Sequence, residues 1–100
     1  MIPQKTIEEL IEKHSLLEKD LSSGKIDKKS FAEKSKEYSD LNTIINDAKK
    51  YISFEKEKIE LEKILSDQNT DEDILKMAEL ELSQLKLQNE RNEKKLKLFL

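Results

Sequence analysis

Beyond Gly24 the chain contains neither glycine nor proline as far as Leu100, and apolar residues recur there at steps of three and four. The two residue types that cost most inside a helix are thus missing from three quarters of the chain, and the spacing is that of a helical stripe. Valine is absent, and glycine and proline occur once each, as Gly24 and Pro3. That scarcity disfavours strands and hairpins. Leu, Ile and Phe total 28 of 100 residues, enough apolar surface for an ordered fold. Ala, Glu, Lys, Leu and Arg total 52, a composition suited to long helices packed along narrow seams.

The pattern predicts three helices. Thr6-Ile7-Glu8-Glu9 reads as a capping box, and Ile7, Leu10, Ile11, His14, Leu17 and Leu21 follow on one stripe until Gly24 permits the left-handed turn that ends a helix. Asp27 suits the N-cap of a second helix, and no breaker intervenes before Leu65, which predicts about 38 residues and roughly 57 Å. Its seam reads Phe31, Tyr38, Leu41, Ile45, Ala48, Ile52 and Ile59, beside a second stripe of Ile44, Tyr51, Phe54, Leu61 and Leu65. The segment SDQNTDED, residues 66–73, predicts a polar turn with Thr70 capping a third helix. That helix carries the seam Leu75, Ala78, Leu82, Leu85, Asn89, Asn92, Leu96 and Phe99, polar at two places where a buried asparagine can fix register. A fold-back about residue 68 or 69 sets Leu61 near Leu75 and Tyr38 near Phe99. The predicted fold is all-α: an elongated antiparallel helical hairpin, or coiled coil, with a shorter N-terminal helix packed at its base. Residues 1–100 form one domain.

Composition also excludes chemistry. Without cysteine there is no thiolate metal site, disulfide or thiol nucleophile; with one glycine there is no phosphate-cradling loop; with His14 alone, histidine catalysis lacks a second ring. The expectation is no enzyme, no catalytic residue, no cofactor and no metal; Glu55 and Glu62 on the second helix read as exposed edge residues. No apolar run approaches the length of a membrane span, so no membrane is expected. Acids and bases interleave to a net charge of −3, which gives no field for DNA, and Arg91, Lys94, Lys95 and Lys97 suit the negative end of their own helix. The predicted hairpin tip holds Asp67, Asp71, Glu72 and Asp73 with no base. First-turn acids stabilise a helix without any partner, and the same four are the candidate partner surface.

Ser35-Lys36-Glu37-Tyr38-Ser39-Asp40-Leu41, Met77-Ala78 with Glu79, Glu81 and Leu82, and the closing Lys95-Leu96-Lys97-Leu98-Phe99-Leu100 resemble, in order and spacing, the N-terminal helical domain of bacterial class I peptide chain release factors. The likeness is greatest to the branch that reads UAA and UAG, and runs from about Thr6 to Leu100. It implies a cytoplasmic role in translation termination, in which this domain positions the factor on the ribosome near the stalk base of the large subunit and contacts the GTPase class II release factor. Peptidyl-tRNA hydrolysis, through a Gly-Gly-Gln loop, and codon reading then belong to the remaining domains of the same chain. Neither that loop nor a Pro-x-Thr tripeptide occurs among these residues, so the expectation is a fragment. The competing reading is an unrelated helical-hairpin interaction module, such as a chaperone-like coiled coil or a tRNA-binding synthetase arm. A tRNA arm calls for a basic stripe that interleaved charges do not supply.

Overall fold

The computed structural model describes residues 1–100. Four helices follow one another: α1 Gln4–Ser22, α2 Lys28–Asn42, α3 Ile45–Ser66 and α4 Glu72–Phe99. The molecule measures 61 × 26 × 20 Å, with a radius of gyration of 18.4 Å. A compact chain of this length would have about 13 Å. α3 and α4 form the long antiparallel hairpin; α1 packs on both α2 and α3 at its base.

Four helices replace the three expected from the sequence, because the predicted second helix divides at Thr43-Ile44. Thr43 and Ile44 bond back three residues rather than four, to the carbonyls of Asp40 and Leu41 at 3.2 and 3.0 Å. The Thr43 hydroxyl donates to the Asp40 carbonyl at 2.6 Å. Ile44 leaves helical geometry at φ −124°, ψ −1°. Asn42-Thr43-Ile44-Ile45 joins a side chain that competes for backbone bonds to three β-branched residues in a row, each of which restricts its turn. The break also lets Leu41, Ile44, Ile45 and Ala48 all be buried. α2 consequently lies on α1 and makes no backbone contact with α4, so Tyr38 is not paired along the hairpin with Phe99. The predicted seam is split with it. Its ends, Phe31 and Ile59, are exposed at 48% and 45%, whereas Leu41 and Ala48 join the core.

Helix starts shift for local reasons. α1 begins two residues before Thr6, with Pro3 at the N-cap and no side-chain cap. What fixes its entry is a hydrophobic staple: Ile2, just outside the helix, and Ile7, in its second turn, are both buried in one cluster. The Ile2 amide donates to the Tyr51 hydroxyl at 3.1 Å. The Met1 ammonium lies 3.0 Å from Glu93. It holds that carboxylate below its ordinary pKa, helped by Lys97. α4 begins at Glu72 after Asp71, not after Thr70. Lys95 reaches Asp47 at 3.9 Å, and Phe54 lines one groove with Leu85 and Asn89.

The core sits at the base: Ile2, Ile7, Leu17, Leu41, Ile44, Ala48 and Leu96, with Leu10, Ile11, Tyr38, Tyr51 and Ile52 against it. Gly24 ends the first turn region at φ +70°, as its position required. Asp27 caps α2, its carboxylate accepting from the Ser30 amide at 2.8 Å. That bond lowers its pKa from the ordinary 3.8. A depressed folded-state value means stability that is present above 3.8 and is lost as pH falls through the lower folded value. Asp27→Asn keeps the acceptor without the charge, so its melting temperature is expected to lie slightly below the parent's at pH 7 and to fall less between pH 4 and pH 2. Parallel acid limbs in thermal melts would remove the cap from the pH dependence.

Candidate functional site

The free end of the hairpin is built by chain reversal. Ser66 closes α3, and Asp67 leaves helical geometry at φ −80°, ψ 115°. Its carboxylate accepts from the Asn69 amide at 2.9 Å, a side chain mimicking a backbone turn. Its carbonyl accepts from the Thr70 amide at 3.2 Å. Thr70 is thus not a cap of α4; its hydroxyl donates to the Ile64 carbonyl at 3.2 Å and satisfies one of the orphan acceptors at the end of α3. Asp71 is the extended N-cap residue of α4, capping with no side-chain bond, and Glu72 and Asp73 occupy the first turn.

Asp67, Asp71, Glu72 and Asp73 are all exposed at this one end. Only Glu72 has an ion-pair partner, Lys76 at 3.8 Å, and both are open to solvent. Such a pair contributes little to stability. The tip is a negatively charged, solvent-facing turn at the end of a helical arm. It offers Coulombic contact and no nucleophile, and no group of three or more His, Cys, Asp or Glu is arranged to hold a metal ion.

Two polar features of the sequence fall elsewhere. His14 is buried between α1 and α2, stacked on Tyr38 at 4.7 Å between ring centroids and donating from Nε2 to the Asn42 amide oxygen at 2.6 Å. It is a packing and positioning residue. Asn92, 2% exposed, accepts from the Gln88 amide at 2.9 Å, while the Asn89 amide oxygen is buried without a partner. Gln88 and Asn92 both belong to α4, so neither asparagine has a hydrogen bond to another helix that would fix the register expected of them. Of the basic residues near the end of α4, Lys95 and Lys97 pair with Asp47 and Glu93.

Fold alone does not specify function, so the family is decided by sequence kinship. The pattern of the PCRF domain matches residues 10–100. The chain belongs to the PCRF domain family. Peptide chain release factor 1 of Pelagibacter ubique (strain HTCC1062) is 70% identical to it over 100 residues. That alignment takes in all of this chain and 28% of the relative, so the PCRF domain chain spans little more than a quarter of the relative's length. No solved structure matches it. The resemblance to bacterial class I release factors is therefore borne out, and the reading as an unrelated hairpin module is set aside. No helix of this PCRF domain chain is long and apolar enough to cross a membrane.

Proposed function

We propose that this PCRF domain chain works in translation termination as the N-terminal helical domain of a stop-codon-reading release factor in the cytoplasm. It contributes reach and a contact surface, while hydrolysis and codon reading are performed by the remaining domains of the same chain. The observation that carries this reading is the 70% identity to a peptide chain release factor 1 along the whole of the 100 residues. The arm shape supports a positioning role, since a 61 Å molecule whose core lies at one end presents the other end at a distance. Asp67, Asp71, Glu72 and Asp73 contact a basic protein surface, at the stalk base of the large ribosomal subunit or on the GTPase class II release factor. RNA is the poorer partner for this end, because phosphate binding draws on lysine and arginine.

Charge reversal of these four residues to Lys in the full-length factor tests the tip. Peptide release at subsaturating factor is expected to slow at least threefold in 50 mM salt, and the difference is expected to shrink in 300 mM salt as screening shortens the reach of the charges. Unchanged release kinetics, with helix content preserved, would refute the tip contact. A Gly-Gly-Gln motif encoded downstream of Leu100 is the matching expectation for the family role, and a gene without one would refute that role.

A further inference from the structure

A second surface lies on the flank of the hairpin, away from the tip. Glu57, Glu60, Leu61 and Ile64 of α3 and Glu81 and Leu85 of α4 line an open groove of about 590 Å³ between the two helices. Its floor is apolar: Leu61 and Leu85 are half-buried, and Ile64 is 37% exposed. Met77, one helical turn before Glu81 on the same face of α4, is 64% exposed. The α3 rim carries the carboxylates of Glu57 and Glu60, and the α4 rim that of Glu81 beside the amides of Gln84 and Gln88. None of Glu57, Glu60 and Glu81 takes part in an ion pair. Glu57 and Glu81 have no Lys or Arg three or four positions away, so the helices themselves offer no neutralising partner; Glu60 has Lys56 and Lys63 in reach and pairs with neither. Residues 55–88 carry ten acids and five lysines, a net −5, whereas the rest of the chain is +2.

We infer that this groove docks a basic amphipathic helix of another protein, its apolar side chains on Leu61, Ile64 and Leu85 and its Lys or Arg residues between Glu57 and Glu60 on one rim and Glu81 on the other. The charge pattern selects the occupant. A phosphate backbone would be repelled by both rims. A second copy of the chain placed symmetrically would bring the same carboxylates face to face. A cation is not held, since these groups form no metal-binding cluster. An apolar face alone would be matched by many partners, but acids on both sides of it favour a helix with basic edges and disfavour an acidic one. Two to three turns, roughly 15 Å, cover the groove. The inference does not depend on the reading of the tip.

The test titrates the isotope-labelled 100-residue chain with a 14-residue amidated peptide of Lys and Leu at helical spacing, in 150 mM salt, and follows amide shifts. Shifts are expected to cluster at residues 57–64 and 81–88. A peptide of the same composition in scrambled order is expected to bind at least tenfold more weakly. Glu57→Gln with Glu81→Gln is expected to weaken binding at least tenfold, and Ile64→Ser at least fivefold. A 12-nucleotide oligouridylate is expected to shift nothing. Equal binding of the scrambled peptide, shifts centred on the tip or on α1, no saturable binding, or oligouridylate bound in the groove would each overturn the proposal. So would sedimentation showing a dimer whose contact maps to these residues.

Discussion

Leu96→Ala is expected to lower the unfolding free energy by about 2–5 kcal/mol, the cost of removing a fully buried leucine from a core that cannot close over the gap. Leu96 is fully buried and is the sole α4 member of the base cluster. Truncating it both opens a cavity and loosens the attachment of α4 to the base cluster. Domains of this size have total stabilities of about 5–15 kcal/mol, so the variant is expected to lose a large part of its margin. At about 4–8 °C per kcal/mol, the melting temperature should drop by about 8 °C or more. Leu80→Ala and Leu87→Ala delete the same atoms from the same helix at positions 60% and 55% exposed. They are expected to change stability by no more than about 0.5 kcal/mol. Chemical denaturation of the three variants checks the contrast; equal losses would mean that the hairpin, not the base, holds the fold.

His14→Ala is expected to cost about 2 kcal/mol, combining loss of an aromatic stack, about 0.5–1.5 kcal/mol, with loss of a partly buried hydrogen bond, about 1 kcal/mol. The ring joins three residues: its own place on α1, Tyr38 on α2 and Asn42 at the last position of α2. It fastens the end of α2 just before the chain breaks and redirects into α3. His14→Phe keeps a ring for Tyr38 and drops the bond to Asn42, so it should recover about half of the loss. Asn42 is exposed and regains water, which keeps its own penalty small. Measured by denaturation, an alanine variant within 0.5 kcal/mol of the parent would show that the stack and bond add nothing to the packing of α1 on α2.

How much of the fold was legible is seen at particular residues. Gly24 and Asp27 act as the sequence indicated, because a left-handed turn and a capped first amide are decided by residues within one turn of each other. Thr6 and Thr70 do not cap as expected. Ile2 competes for the start of α1 by stapling to Ile7, and Thr70 finds the carbonyl of Ile64, six residues back across the turn. The signal for the staple was present as Ile2-Pro3 ahead of Ile7, and the β-branched run Thr43-Ile44-Ile45 marked the helix break. Neither interrupts a stripe of apolar residues, which is why periodicity passes over both. Among site residues, the four tip acids share one end as their spacing implied. The groove of Glu57, Glu60 and Glu81 was not visible, because it pairs residues of two helices that only the packed hairpin brings together.

The sequence by itself determined that the chain is helical, where its polar turns fall, and that its free end is acidic, since those follow from periodicity and from side chains acting on their own backbone. Only the tertiary structure decided that the long central helix divides, that His14 bonds Asn42 at the end of α2, and that one flank of the hairpin is an acid-rimmed apolar groove. Those outcomes depend on which faces meet. A stripe records that a residue prefers burial, but the partner it is buried against is set by packing helices of unequal length around a single core at the base.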